Sequence, residues 1–253
     1  MEKEKQTISA LIITYNEIHH IDDVIDNISF ADEIIVIDSF STDGTFEKLQ
    51  SYNNITKIQR HFKNFSDQRN FALKQASNNW ILFIDADERI TPSLKKEILK
   101  EISTPNNIVG FLFKRLYFFK KKRIRFSGFQ TDTTYRLFKK GHVKYDEKKI
   151  VHEMPIIDGN SKILKSNMIH YCFDNATHYK SKMEHYASLK ALELSKKGKK
   201  PNFYHFYIRP LYKFLINYII RLGFLDGKEG FVICYLSAYG VHYRYKELNK
   251  LLN

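Results

Sequence analysis

Apolar residues fall in short unbroken runs along the first hundred positions, and each run stops at polar or acidic residues. Ile8 to Ile13 stops at Thr14-Tyr15-Asn16-Glu17, Ile34 to Ile37 stops at Asp38, and Trp80 to Ile84 stops at Asp85-Ala86-Asp87-Glu88. Ile55 to Ile58 is a shorter run of the same kind. Such runs, rich in β-branched residues, read as strands buried on both faces. Between them the spacing turns helical. Ile18, Ile21, Val24, Ile25 and Ile28 share one face, Phe46 and Leu49 begin another helix, and Phe65 to Leu73 leads into a third with Phe71 and Leu73 turned inward. The alternation predicts an α/β fold, a mainly parallel sheet with helices on both faces.

After Asp87 the pattern changes. Thr91-Pro92 starts a helix that runs through Ile102, with proline at a favourable first-turn position. Ile108 to Phe119 reads as a long strand, and Lys120-Lys121-Lys122-Arg123 as a solvated hairpin tip or basic patch. Thr134 to Phe138 and Ile150 to Met154 read as short antiparallel strands. From Thr177 onward the signal is helical, broken at Lys196 to Pro201, with a kink expected at Pro210. This divides the chain into residues 1–172 and a helical C-terminal extension, residues 173–253.

Asp85 and Asp87 fall at the C-terminal edge of their strand, where open α/β sheets place ligands. Two carboxylates one small residue apart can share a divalent cation, Mg²⁺ or Mn²⁺, with the ribose and phosphates of a nucleotide. The same residues also suit a strand that ends in an acidic turn. By strand alternation Glu88 points away from the pair. The glycine-rich phosphate cradles GxGxxG and GxxxxGK[ST] are both missing.

Composition adds an asymmetry. The 253 residues carry a formal net charge of +13. Residues 1–100 hold 12 Lys and Arg against 16 Asp and Glu, and residues 101–253 hold 29 against 12. The second part is also dense in Tyr and Phe, most of which are expected as core between helices. The surplus positive charge suits an anionic partner. A nucleic-acid-binding protein is one alternative, but no recognition module is present and the charge lies apart from the acidic motifs. The only cysteines, Cys172 and Cys234, are far apart, which fits neither a disulfide scaffold nor a zinc site. The charged N-terminus has no apolar stretch like a signal peptide's, and no run approaches the ~20 apolar residues of a spanning helix.

Four segments now stand in order: Thr14-Tyr15-Asn16-Glu17, Asp38-Ser39-Phe40-Ser41-Thr42-Asp43-Gly44-Thr45, Gln68-Arg69-Asn70 and Asp85-Ala86-Asp87. Together they resemble the GT-A (Rossmann-like) fold of inverting family 2 glycosyltransferases. Tyr135-Arg136-Leu137-Phe138, Val151-His152-Glu153 and the segment from Gly223 to Gly230 resemble the subgroup that adds glucose to the inner core of bacterial lipopolysaccharide. The resemblance covers nearly the whole chain. Phe40 departs from it, standing where many relatives have a small residue.

The resemblance implies a UDP-sugar donor and a phosphorylated glycolipid acceptor. Asp87 would hold the metal and Asp85 the ribose side. Asp38 would accept from the uracil N–H, Thr14 and Tyr15 would pack the base, and Glu17 would lie near that pocket. Arg69 would meet the diphosphate or uracil side as a fixed cation. Glu153 is the general-base candidate, against a solvated strand-edge glutamate. His152 is either a further metal ligand or an acceptor-orienting group, and Arg136 either binds acceptor phosphates or is a surface strand arginine. His170, His178 and His185 read as structural or surface groups, and Asp226-Gly227 as a turn. With its basic aromatic extension the chain is expected to be cytoplasmic and peripheral on an anionic membrane surface. A relative using another donor on capsule, teichoic acid or protein fits the same motifs.

Overall fold

The computed structural model describes residues 6–147, 154–173 and 175–252. They divide into two compact units, residues 1–115 with 133–170 and residues 116–132 with 171–253. The second unit thus takes in a hairpin as well as the C-terminal helices.

The first unit is built on a sheet. Its strands are β1 (Ile8–Thr14), β2 (Glu33–Asp38), β3 (Thr56–Gln59), β4 (Trp80–Phe83), β5 (Glu88–Ile90), β6 (Ile108–Phe119), β8 (Thr133–Lys139) and β11 (Asn160–Phe173), in the spatial order β3-β2-β1-β4-β8-β6-β11-β5. β6 and β11 run on into the second unit. β1 to β4 pair in parallel, whereas β4–β8, β6–β8 and β5–β11 are antiparallel. Two further strands, β9 (Val143–Tyr145) and β10 (Pro155–Ile157), form a small antiparallel pair.

Period-two alternation sorts the side chains. Ile8, Ala10, Ile12, Ile34, Val36, Leu82 and Ile84 face one core, shared with Val24 of α1 (Ile21–Asn27), Leu49 of α2 (Thr45–Gln50) and Leu94 and Ile98 of α4 (Pro92–Ser103). Leu11, Ile35, Ile37, Ile81 and Phe83 face the other, against Ala72 and Ala76 at α3 (Phe65–Gln75). Each fully buried aliphatic or aromatic side chain contributes about 1.5–3 kcal/mol. The Thr91-Pro92 start of α4 is as expected: the Thr91 hydroxyl accepts the Leu94 amide at 3.2 Å.

Helix α3 differs from its reading. Phe71 and Leu73 pack against the second core as expected but stay half-buried, while Ser66, Gln68, Arg69 and Ala72 are buried. Gln68 and Arg69 turn inward because each finds a polar partner there, Ser39 and Asp85. The expected strand at Ile150–Met154 lies largely in residues 148–153, outside the described ones.

In the second unit, β6 turns back at Lys120, in the left-handed region at φ 55°, to pair with β7 (Lys122–Ile124). Its core joins Tyr117, Phe119, Ile124 and Cys172 to Tyr179 of α5 (Ala176–Lys196) and Ile233 of α7 (Gly227–Leu252). Around Pro210 the helix widens into π-turns at Tyr204–Ile208 and again at Ile216–Ile220, flanking α6 (Arg209–Leu215). Proline has no amide for the Phe206 carbonyl four residues back. The His242 ring fills that vacancy, Nδ1 to O at 3.0 Å, and so donates from Nδ1. Most aromatics of this stretch are not core, contrary to expectation. Between positions 203 and 225 only Asn217 and Gly223 are buried.

The Gly223 to Gly230 segment is a packing device. Asp226 is buried, and its carboxylate accepts the Arg125 and Phe126 amides and the Ser127 hydroxyl, each at 2.9 Å. Gly227 takes φ 68°, as a turn there requires. Gly230 lets two backbones meet, since a Cβ there would lie 2.1 Å from the Gly223 carbonyl oxygen. Gly230→Ala is therefore expected to destabilise the protein by about 2 kcal/mol or more. Substitution of exposed Lys228 by Ala should stay within about 0.5 kcal/mol. Urea denaturation checks both, and equal midpoints would refute the close-approach argument.

Candidate active site

The register of the parallel strands assembles the site. Thr14 of β1 lies opposite Asp38 of β2, and Leu11 lies opposite Phe83 of β4. Ile84 continues that pairing, its amide on the Leu11 carbonyl at 3.0 Å. Thr14, Asp38 and Asp85 thus leave one edge of the sheet side by side.

The loops after β1 and β2 are laced together. The Asn16 amide donates to the Ser41 hydroxyl at 2.9 Å, and the Asn16 side-chain oxygen accepts the Thr42 amide at 2.8 Å. The Glu17 amide donates to the Thr45 hydroxyl at 2.9 Å and the Ile18 amide to Asp43 at 3.1 Å. Asn16, at φ 57°, tolerates the left-handed region. Phe40 also sits there, at φ 59°, where a bulky residue costs about 1–2 kcal/mol. Its ring stacks on His61 at 4.2 Å between centroids. The backbone accounts for the expectation of a small residue at this position.

Asp38 is fully buried and accepts the Ser41 amide at 3.0 Å and the Gln59 amide group at 3.3 Å. Thr14 is buried beside it, and its Oγ1 has no hydrogen-bond partner. Tyr15 is exposed and Glu17 half-buried. The Gln68-Arg69-Asn70 run has three separate tasks. Gln68 Nε2 reaches the Ser39 hydroxyl at 3.2 Å, Arg69 Nη2 reaches Asp85 at 3.1 Å, and Asn70 pairs with both backbone groups of Tyr145 at 2.9 Å. Arg69 is buried over the rings of Phe83 and Tyr145, 5.2 and 5.8 Å from their centroids.

The largest departure from the sequence reading is Arg136, which is neither a surface arginine nor directed at solvent. It is buried, with Nε and Nη2 on the two Glu88 oxygens at 2.8 and 2.7 Å and Nη2 also on Asp85. The pairing of β8 with β6 explains this. Leu137 pairs with Phe111 and Tyr135 with Leu112, leaving Arg136 as an extra residue at a bulge. A bulge re-aims a side chain and suspends alternation. Arg136, Leu137 and Phe138 are accordingly all buried.

Glu88 is also corrected. The chain leaves β4 after Phe83, turns, and re-enters the sheet as β5, so alternation does not carry through to Glu88. Its carboxylate is fully buried, holds Arg136, and accepts the Asp85 amide at 3.1 Å. Arg115 stands 3.9 Å from it. Burial pushes the Asp85 carboxyl up, but Arg136 and Arg69 outweigh that and hold it well below the ordinary carboxylate range. Burial alone would pull Arg136 down, but Asp85 and Glu88 hold it above its ordinary value.

Asp87 faces another group that sequence reading set aside. In the β5–β11 register His170 lies opposite Glu88, and its Nε2 stands 3.1 Å from Asp87 Oδ2. No sequence signal marks His170, because the pairing joins positions 83 residues apart. Among the described residues no group of three or more His, Cys, Asp or Glu could by itself hold a metal ion. A cation that completes its shell with substrate phosphate and water needs only one or two protein ligands. With both Asp85 oxygens on arginines, Asp87 and His170 are the adjacent donors that fit such an ion. Glu153 and His152 lie outside the described residues.

Comparisons with known proteins give the family and the fold. The model of the family "Glycosyl transferase family 2" matches residues 9–162. The lipopolysaccharide core biosynthesis glycosyltransferase LpsC of Rhizobium meliloti (strain 1021) is 28% identical over 253 residues, covering 95% of this chain and 94% of its own. An uncharacterized glycosyltransferase of Rickettsia bellii (strain RML369-C) is 29% identical, with 96% and 86% covered. Among solved structures, S. aureus TarS 1–349 in complex with UDP superposes with a TM-score of 0.51 at 15% identity, covering 98% of this chain and 91% of that one. The fold is that of GT-A transferases.

The ion-pair cluster makes two measurable demands. Arg136→Ala leaves the buried Glu88 with only the Asp85 amide and the more distant Arg115 and is expected to cost about 3–5 kcal/mol, most of it recovered in Arg136→Met/Glu88→Leu. Chemical denaturation of both variants checks this; no recovery in the double variant would refute it. Asp85 has a depressed folded value, so its contribution to stability is complete above the ordinary value of about 3.9 and is lost as pH falls through the folded value. Asp85→Asn should therefore flatten the acid limb of a stability–pH profile and leave its shape near neutrality unchanged.

Proposed function

The chain belongs to glycosyl transferase family 2 and is a glycosyltransferase, and from that premise we propose a specific reaction for it. A hexose, which we assign as glucose, passes from a UDP-sugar to a phosphorylated glycolipid of the lipopolysaccharide core type, with inversion at the anomeric carbon. One observation supports the donor half above all others: Thr14, Asp38 and the Asp85–Asp87 turn converge on one edge of the parallel strands. The acceptor half draws on the likeness to the lipopolysaccharide core enzyme LpsC.

In this reading Asp38, the last residue of β2, accepts from the uracil N–H, beside a loop that the Asn16 and Ser41 hydrogen bonds tie together. Thr14 and Tyr15 pack the base, the unpartnered Thr14 Oγ1 being available to it, and Glu17 borders the same pocket. Asp85 faces the ribose. It stays ionised because Arg69 and Arg136 stand against it. Arg69 also sets the local field on the diphosphate side. Asp87, with His170 beside it, would hold a divalent cation, Mg²⁺ or Mn²⁺, whose charge would neutralise the leaving diphosphate. Glu153 takes the proton from the acceptor hydroxyl. That oxygen bonds to the anomeric carbon as the bond to the diphosphate breaks, and UDP leaves.

Release of UDP in the presence of Mn²⁺, measured over a panel of UDP- and ADP-sugars with a core glycolipid acceptor, tests the reading. UDP-glucose is expected to give the fastest release. Asp87→Ala and Glu153→Gln should each reduce turnover by about a hundredfold or more. Normal turnover in both variants would overturn the site assignment, and preference for another donor would overturn the sugar.

A further inference from the structure

The second unit carries a feature that donor and acceptor chemistry leaves unused. From position 203 to 225 the chain is almost wholly helical and rich in Phe, Tyr, Leu and Ile, yet only Asn217 and Gly223 are buried. The polar residue is inside and the apolar ones are outside. Phe203, Tyr207, Leu211, Leu215 and Ile219 recur every four residues, a single helical stripe. Phe203 is 70% exposed, Ile220 69% and Tyr212 66%. Beside the stripe, Phe206, Pro210, Leu211 and Phe214 of this stretch form an open apolar groove of about 370 Å³ with Tyr235 and Tyr239 of α7. A contiguous exposed apolar surface of this kind marks an interaction site.

Charge identifies the partner. Between positions 196 and 228 there are eight Lys and Arg residues and one acid, Asp226, whose carboxylate is spent on the 125–127 backbone and Ser127. Lys199, Lys200, Arg209, Arg221 and Lys228 are exposed around the apolar stripe. Burial pushes Lys213 below its ordinary range, and neighbouring Arg221 and Arg244 add to this in the same direction. No helix among the described residues is long and apolar enough to cross a membrane. An apolar and aromatic helix face bordered by Lys and Arg is the arrangement of a helix that lies in the interface of an anionic bilayer. A second copy of the chain would bring the same positive charge to this face, whereas anionic lipid brings the opposite sign.

We propose that the face formed by residues 203–225 docks on an anionic phospholipid bilayer, the apolar stripe entering the interface and the surrounding Lys and Arg meeting lipid phosphates. This stands apart from the donor and acceptor assignments, and its test requires no turnover. The full chain is pelleted with vesicles of phosphatidylcholine, or of equimolar phosphatidylcholine and phosphatidylglycerol, at low and high salt. Binding is expected on the anionic vesicles at low salt, and salt should weaken it. Phe203→Ser/Leu211→Ser/Ile220→Ser, which alters only exposed side chains, should lower the partition by about tenfold or more, with an unchanged circular dichroism spectrum as the check on folding. Lys199→Glu/Lys200→Glu should weaken anionic binding as well. Equal binding to neutral vesicles, no binding at low salt, or undiminished binding by the triple variant would overturn the proposal. So would a doubling of solution mass that the triple substitution abolishes, which would assign the face to a second copy.

Discussion

The site depends on the buried contact between Arg136 and the pair Asp85–Glu88. Three carboxylates, Asp85, Asp87 and Glu88, leave one short turn beside an apolar sheet. Without compensation they would repel one another and one would take up a proton. Arg136 answers two of them at once, Arg69 adds a second cation to Asp85, and His170 faces the third. These partners come from a strand, a helix and a second strand, so the turn between β4 and β5 is held by long-range contacts as well as by its own residues. The free energy of the cluster lies less in attraction than in the penalty of removing any single member.

The parallel half of the fold and its carboxylates were legible in the sequence for one reason. Strands buried on both faces are written as unbroken apolar runs, so their ends are visible as abrupt polar residues. Thr14, Asp38 and Asp85 were found this way, and their placement on one edge follows from parallel pairing. The arginine and histidine that complete the site were not legible. Arg136 sits at a bulge, where the two-residue period that makes a strand readable is suspended, and His170 meets Asp87 only through the register of an antiparallel pair. Glu88 was misplaced because one strand was extended through what is a turn between two.

The helical extension itself was read correctly, but the burial of its aromatic side chains was misjudged, for the opposite reason. Periodicity tells which residues share a face but not what covers that face, and a stripe of Phe, Tyr and Leu reads alike whether it meets protein or lipid. Burial shows whether this chain itself covers the face. In residues 203–225 the covered side chain is Asn217, and the apolar ones face out. The segment from Gly223 to Gly230 shows the same limit at smaller scale. Its glycines and aspartate stand out in the sequence as a motif, but their work is to let two backbones meet and to cap the 125–127 turn.

The bulge at Arg136 also makes strand β8 sensitive to length. A substitution at Tyr135 or Leu137 changes what packs on either side, and the pairing around it persists. Removing one residue between Thr134 and Leu137 would let β8 and β6 run in regular register, and the sheet itself would gain a hydrogen bond. The arginine would then be lost or turned away, and the buried Glu88 would lose its two shortest ion-pair contacts. Among sequences that share this architecture, a gap at this point of β8 should therefore appear only together with loss of the glutamate at the start of β5, a correlation between chain length and charge that alignment alone can detect.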